Sequence, residues 1–224
     1  VSVKDGDAPM VTAPADITVA ATDANGTAAT DGTIVAFLNG ASATDNVDGA
    51  IALINHNAPA VFPLGTTTVT FSATDNAGNT GTAEASVTVT DQSSPVITLN
   101  GASSISLNVG DSFTDPGASA ADNVDGDVSA SIEVSGSVDT STVGLYTLTY
   151  TVSDAAGNAA SPVTRSVSVK DGDAPVVTAP VDITVAATDA NGTAVTDGAI
   201  VAFLNGASAT DNVDGTIKLI NHNA

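Results

Sequence analysis

The chain has 224 residues, with 25 acidic against 4 basic side chains, a formal charge of −21, 42% hydrophobic but only 3% aromatic residues, and no cysteine. Disulfides, thiolate metal sites and thiol nucleophiles are excluded, and so acidic a surface disfavours nucleic acid and anionic membrane as partners. The length suits two or three small cores better than one large core, and no run approaches the roughly 20 apolar residues of a membrane span.

Taken in chain order, the strand candidates are 16–21, 33–38, 65–74, 84–90, 96–99, 105–108, 128–134, 144–153 and 163–169, separated by clusters of Gly, Asp, Asn and Pro. No segment of useful length shows a 3.6-residue period with helix caps. The clearest alternation lies in GTTTVTFSATD (65–75) and GLYTLTYTVSD (144–154). There Val69, Phe71 and Ala73, and Tyr146, Leu148, Tyr150 and Val152, are expected to face a core while Thr and Ser face water. Tyr146 reads equally as a core residue or as a tyrosine corner.

An internal repeat organises the chain. Residues 1–58 return as 167–224 with six exchanges: Met10/Val176, Ala15/Val181, Ala29/Val195, Thr33/Ala199, Ala50/Thr216 and Ala52/Lys218. Between the copies lies a different module, because Pro9, Pro95 and Pro175 are 86 and then 80 residues apart. The expected organisation is a tail and linker of a preceding module (1–6), a first sandwich (7–90), a second (91–170) and an incomplete copy of the first (171–224). The fold class expected is all-β: tandem immunoglobulin-like β-sandwich modules in an extended array, lacking the disulfide and core Trp of antibody domains. The chain opens on Val1 and reads as an excerpt of a longer protein, with export signal and anchor expected outside it. The partial copy lacks the counterpart of FPLGTTTVTF, and a neighbour could complete it.

The first module resembles the hyalin repeat (HYR) domain through DAPMVTAPADITV, ATDNVDG and FPLGTTTVTFSATDNAGNTGTAEASVTVTD. The second is similar to the bacterial Ig-like surface-protein module of the DUF5011 kind through PVITLNG, VGDSFTDPGASAADNVDGDV and GLYTLTYTVSDAAGN. Together the two resemblances span nearly the whole chain. They imply a secreted or surface-displayed protein with many modules, often an adhesin, in which such modules act as stalk or contact domains.

Apart from Glu84 and Glu133 every acid is an aspartate, the residue of turns and of oxygen-rich cation sites. The aspartates fall in three recurring clusters. The linkers carry Asp5 and Asp7, Asp91, and Asp171 and Asp173. A loop about 30 residues further on carries Asp45, Asn46 and Asp48; Asp122, Asn123, Asp125 and Asp127; and Asp211, Asn212 and Asp214. The loop after the penultimate strand carries Asp75 and Asn79, then Asp154 and Asn158. In an immunoglobulin sandwich all three come to one end of the module. Carboxylates ~5 Å apart repel by roughly 3 kcal/mol per pair at an effective dielectric of ~20, a penalty that a divalent ion removes. Oxygen-only ligands suit Ca²⁺ better than zinc or copper. The competing reading is that Asp, Asn and Gly are simply turn formers. The spacing is not that of an EF-hand.

Catalysis finds little support: His56 and His222 stand without a nucleophile motif, and the paired carboxylates sit in repeated turns. Lys4 and Lys170 lie in linkers and Lys218 replaces an Ala, which disfavours internal isopeptide links. Asn25 and Asn191, each followed by Gly and Thr, fit both a glycosylation pattern and a hairpin turn. The expected function is a structural stalk or fibre segment of a secreted or cell-surface protein, a bacterial adhesin or extracellular filament stiffened by Ca²⁺ at module junctions. Alternatives are modules that bind host or matrix glycan or protein, or other copies in a fibre, and spacers of a secreted enzyme. The partners expected in every case are neighbouring modules of the same chain.

Overall fold

Turn residues placed between runs of alternating Val, Thr and Ala cut this chain into many short strands. The computed structural model describes residues 1–217; Lys218 and His222 lie outside the described residues. The first module holds β1 (Met10–Thr12), β2 (Ile17–Ala20), β3 (Thr27–Ala28), α1 (Gly32–Leu38), β4 (Ser42–Asp45), β5 (Gly49–Ile51), β6 (Asn55–His56), β7 (Val61–Phe62), β8 (Gly65–Thr74) and β9 (Thr80–Thr90). The second holds β10 (Val96–Leu99), β11 (Ser104–Asn108), β12 (Ala118–Asp122), β13 (Gly126–Asp127), a 3₁₀ turn (Ser129–Ser131), β14 (Glu133–Ser135), β15 (Gly144–Thr151) and β16 (Val163–Lys170). The partial copy holds β17 (Val176–Thr178), α2 (Gly198–Leu204), β18 (Ser208–Asp211) and β19 (Gly215–Ile217). No described helix is long and apolar enough to cross a membrane.

Two compact units emerge. One comprises Val1–Gly101, Pro116–Ser135 and Thr149–Thr164; the other comprises Ala102–Asp115, Gly136–Leu148 and the described residues from Arg165 onward. The first unit contains the whole first sandwich, with sheet β1-β4-β5, sheet β2-β9-β8-β6 and ribbon β3-β7. Its backbone is the β8–β9 hairpin, paired from Gly65↔Val89 to Thr74↔Thr80. The predicted alternation holds: Val69, Phe71 and Ala73 are fully buried, while the Thr66–Thr88 and Thr74–Thr80 hydroxyls pair on the exposed side. Val19, Ile34, Phe37, Phe62, Val87 and Val89 complete the core with Val69 and Phe71. β2 joins the sheet by pairing in parallel with β9, Ile17↔Val87 to Ala20↔Thr90. Gly81 on β9 lets the linker cross there, since an added Cβ would collide with the Pro9 carbonyl.

Helix α1 corrects the strand expected over 33–38. The Asp31 carboxylate accepts from Thr33 N and Ile34 N at 2.9 and 3.3 Å, an N-cap. Ile34 and Phe37, three residues apart, then share a buried face, and Phe37 meets Phe71 edge-on at 5.7 Å. Tertiary packing overrides the strand-like composition of TIVAF. The stretch 128–134 is likewise not one strand. Asp127 accepts from Ser129 N and Oγ at 2.9 and 2.5 Å, which curls Ser129–Ser131 into the 3₁₀ turn before β14 begins.

The first unit also includes the antiparallel sheet β10-β12-β13 and the pairing of β14 with residues 149–151 of β15. Ile97, Ala120, Tyr150, Val152 and Ala160 are buried there. In the second unit β11 pairs in parallel with β16, Ser104↔Ser166 to Asn108↔Lys170. Val167 and Val169 are buried, and the fully buried Arg165 is ion-paired with Asp115 at 2.7 Å. Tyr146 Oη donates to the Thr142 carbonyl at 2.9 Å, four residues upstream. That contact is a tyrosine corner and decides between the two sequence readings of Tyr146.

Candidate metal centres

Each acidic hairpin is built by one turn. Asp45 at the end of β4 accepts from Val47 N and Asp48 N at 2.8 and 3.0 Å through Oδ1, and Gly49 follows at φ +73°, a conformation that favours glycine. Asp122 does the same for Val124 N and Asp125 N at 2.7 and 3.1 Å, and Asp211 for Val213 N and Asp214 N at 2.8 and 3.1 Å. One oxygen of each leading aspartate is thus spent on the turn, leaving the other for the site.

The linker aspartate comes to this hairpin in all three modules. Carboxylate oxygens of Asp5, Asp45 and Asp48 lie within 4.8 Å of one another, as do those of Asp91, Asp122 and Asp125, and of Asp171, Asp211 and Asp214. Three like charges at this separation repel by roughly 3 kcal/mol per pair at an effective dielectric near 20. Moreover Oδ2 of Asp5, Asp91 and Asp122 is buried with no hydrogen-bond partner, although buried polar atoms are nearly always satisfied. A bound cation fits both observations.

The third loop supports the site without adding a carboxylate. Asp75 is buried and accepts from Asn79 N and Asn79 Nδ2, both at 2.7 Å, while Asn79 Nδ2 also reaches the Asp5 carbonyl at 3.4 Å. Asp154 and Asn158 repeat this at 2.7 and 2.8 Å, with Asn158 Nδ2 at 3.4 Å from the Asp91 carbonyl. Burial pushes the Asp75 carboxyl up, but the hydrogen bonds from the Asn79 side chain and from the Asn79, Gly78 and Ala77 backbone outweigh it and hold it below the ordinary range. Asp154 is held low by the same balance, with Asn158, Gly157 and Ala156 as donors.

Of the other expected site residues, Asp7 accepts from Asn46 Nδ2 at 2.7 Å and Asp173 from Asn212 Nδ2 at 2.8 Å, outside the triads. Asn123 turns to backbone carbonyls, and Asp127 turns to Ser129, whose side-chain hydroxyl and backbone N–H hold its carboxyl low. Two contributors were not among the expected site residues. Asn76 N and Nδ2 donate to Asp48 at 2.7 and 2.9 Å, and Ala155 N donates to Asp125 at 2.7 Å. Asn76 stands inside the same DNAGN run, so its position was a usable signal; a backbone N–H such as that of Ala155 leaves none. His56 packs edge-on to Phe71 at 6.2 Å, and its Nδ1 accepts from Ala58 N at 3.4 Å.

Strands and acidic ends together define tandem immunoglobulin-like β-sandwich modules. The chain carries a HYR domain over residues 4–90, followed over residues 97–169 by an Ig-like domain of bacterial surface proteins. No curated protein matches the chain. Among solved structures, a lipoprotein from Bacteroides thetaiotaomicron is similar at 31% identity and TM-score 0.33, over 38% of this chain and 49% of that one. A catalytic domain with two adjoining domains from Clostridium perfringens ZmpB is similar at 10% identity and TM-score 0.40, over 77% and 33%. The protocadherin gamma B2 extracellular cadherin domains 1–5 are similar at 14% identity and TM-score 0.36, over 77% and 42%. The chain thus spans half or less of the length of each of these three structures, and at these TM-scores the likenesses assign it no activity.

Proposed function

We propose that this chain is a structural repeat segment, a stalk or fibre, of a secreted or cell-surface bacterial protein of the adhesin or filament type, stiffened by Ca²⁺ at the linker end of each module. The observation that carries the reading is the carboxylate triad repeated in every module, two of the three with buried oxygens lacking any partner. Asp5, Asp45 and Asp48 would hold one ion, Asp91, Asp122 and Asp125 a second, and Asp171, Asp211 and Asp214 a third. The described donors are all hard oxygens, which favours Ca²⁺ over softer transition metals. An ion there ties linker to hairpin, and hence fixes the direction in which the chain enters each sandwich. The family of the second module, a domain of bacterial surface proteins, supports the location.

Thermal melting in chelator and in Ca²⁺ tests this. An ion bound only by the folded state adds about 2.7 kcal/mol at a hundredfold excess over Kd, so Tm should rise clearly with calcium. Asp122→Asn keeps the turn acceptor but removes one charge. It is expected to raise Tm in chelator, by relieving repulsion, and to lower it in calcium, by removing a ligand. Melting curves that ignore calcium, or a variant whose effect has the same sign in both conditions, would refute the reading.

A further inference from the structure

Between the two site aspartates of the second module's hairpin, Asn123 and Val124 turn onto the first module. Asn123 Nδ2 lies 3.2 Å from the Ala21 carbonyl and 3.3 Å from that of Thr22, and Val124 packs against the first module's core cluster. The asparagine behaves otherwise in both copies of the first module, where Asn46 and Asn212 donate to Asp7 and Asp173 of their own linkers. Three linker positions differ, Gly6, Asp7 and Ala8 against Gln92, Ser93 and Ser94, and only the middle one carries the carboxylate that Asn46 uses. Two residues after the linker aspartate stand Asp7 and Asp173 in the first-type modules, but Ser93 in the second. A carboxylate acceptor makes a charge-assisted bond roughly twice as strong as a neutral carbonyl does, so where an aspartate is present it captures the asparagine.

We propose that residue 93 and its equivalents select the kind of joint: Ser93 releases the Asn123–Val124 tip to latch onto the preceding module, whereas Asp7 and Asp173 hold Asn46 and Asn212 back. The latch consists of an amide on two carbonyls and a valine on an apolar core, and does not rest on cation binding.

Because the chain has no cysteine, Thr68→Cys and Thr98→Cys, exposed positions on β8 and β10, accept a spin-label pair without background. Double electron–electron resonance on the whole chain then reads the distance distribution across the first joint, in chelator and in calcium. Asn123→Ala and Ser93→Asp are each expected to broaden it, with about a tenfold fall in the docked-to-undocked ratio for the loss of these hydrogen bonds. The double variant should be no broader than either single one, because both remove the same contact, and Ser93→Ala should stay narrow. Unchanged distributions in chelator for both single variants, or additive effects, overturn the proposal. So does a wild-type distribution that is narrow only in calcium and indifferent to Asn123→Ala, which would assign the joint to the ion.

Discussion

Residues 1–58 and their copy at 167–224 differ at six positions, yet only the first is followed, within this sequence, by the β8–β9 hairpin. In the first, Val19, Ile34 and Phe37 are buried. In the second, Val185, Ile200 and Phe203 are only half-buried, α2 buries none of its residues, and Val181 and Val195 are exposed. What survives in both is instructive: the capped helix, the three-stranded sheet with its acidic hairpin, the triad, and even the Asn212–Asp173 bond. What is lost is β2, whose counterpart at 183–186 is not a strand. Among the described residues, helix, hairpin and carboxylate cluster are thus present in both copies, whereas β2 is present where it pairs in parallel with β9.

The sharpest way to break this contrast is Phe71→Ala. It removes a fully buried aromatic that touches Phe37 and His56, and should cost about 4 kcal/mol in urea unfolding of the first module. A loss under ~1 kcal/mol would mean that β8 does not organise the core as argued. A smaller effect is expected at the helix caps. Asp31→Ala should cost about 1 kcal/mol, with α1 retained because the core holds it. Asp197→Ala, which removes the cap of a seven-residue helix with no buried face, should abolish α2 in carbon chemical shifts, because isolated short helices are marginal. Equal behaviour of the two helices would erase the distinction.

The smallest effect concerns acid. Asp75 titrates below its unfolded value in the folded chain, so its contribution is complete above the unfolded pKa, near 4, and is lost as pH falls through the lower folded value. Asp75→Asn should therefore be less stable than wild type near neutrality, with the gap closing below about pH 4. A gap that stays constant down to pH 2 would show that the Asn79 bonds do not depend on the charge.

The strands with strict alternation were legible from residues alone, because Val69, Phe71, Leu148 and Tyr150 obey the two-residue period. The clustering of linker and hairpin aspartates was legible too, since the sandwich topology brings both to one end. Helix α1 was not, because Thr33, Ile34, Val35 and Phe37 favour strands and only Asp31 and the Ile34–Phe37 spacing speak otherwise. The division of labour among the acids was also hidden. Asp75 and Asp154 share the residue type of the triads but accept from Asn79 and Asn158, and only side-chain geometry distinguishes a carboxylate gathered into a triad from one that fastens a loop.

The parallel pairing of β2 with β9, and of β11 with β16, has a consequence for load. Near its start and at its end, each of the two complete modules contributes one strand to a parallel pair, joined by four or five successive registers. Tension along the chain therefore draws these strands past each other, and the ladder must yield in shear, several bonds at once, instead of peeling open one bond at a time.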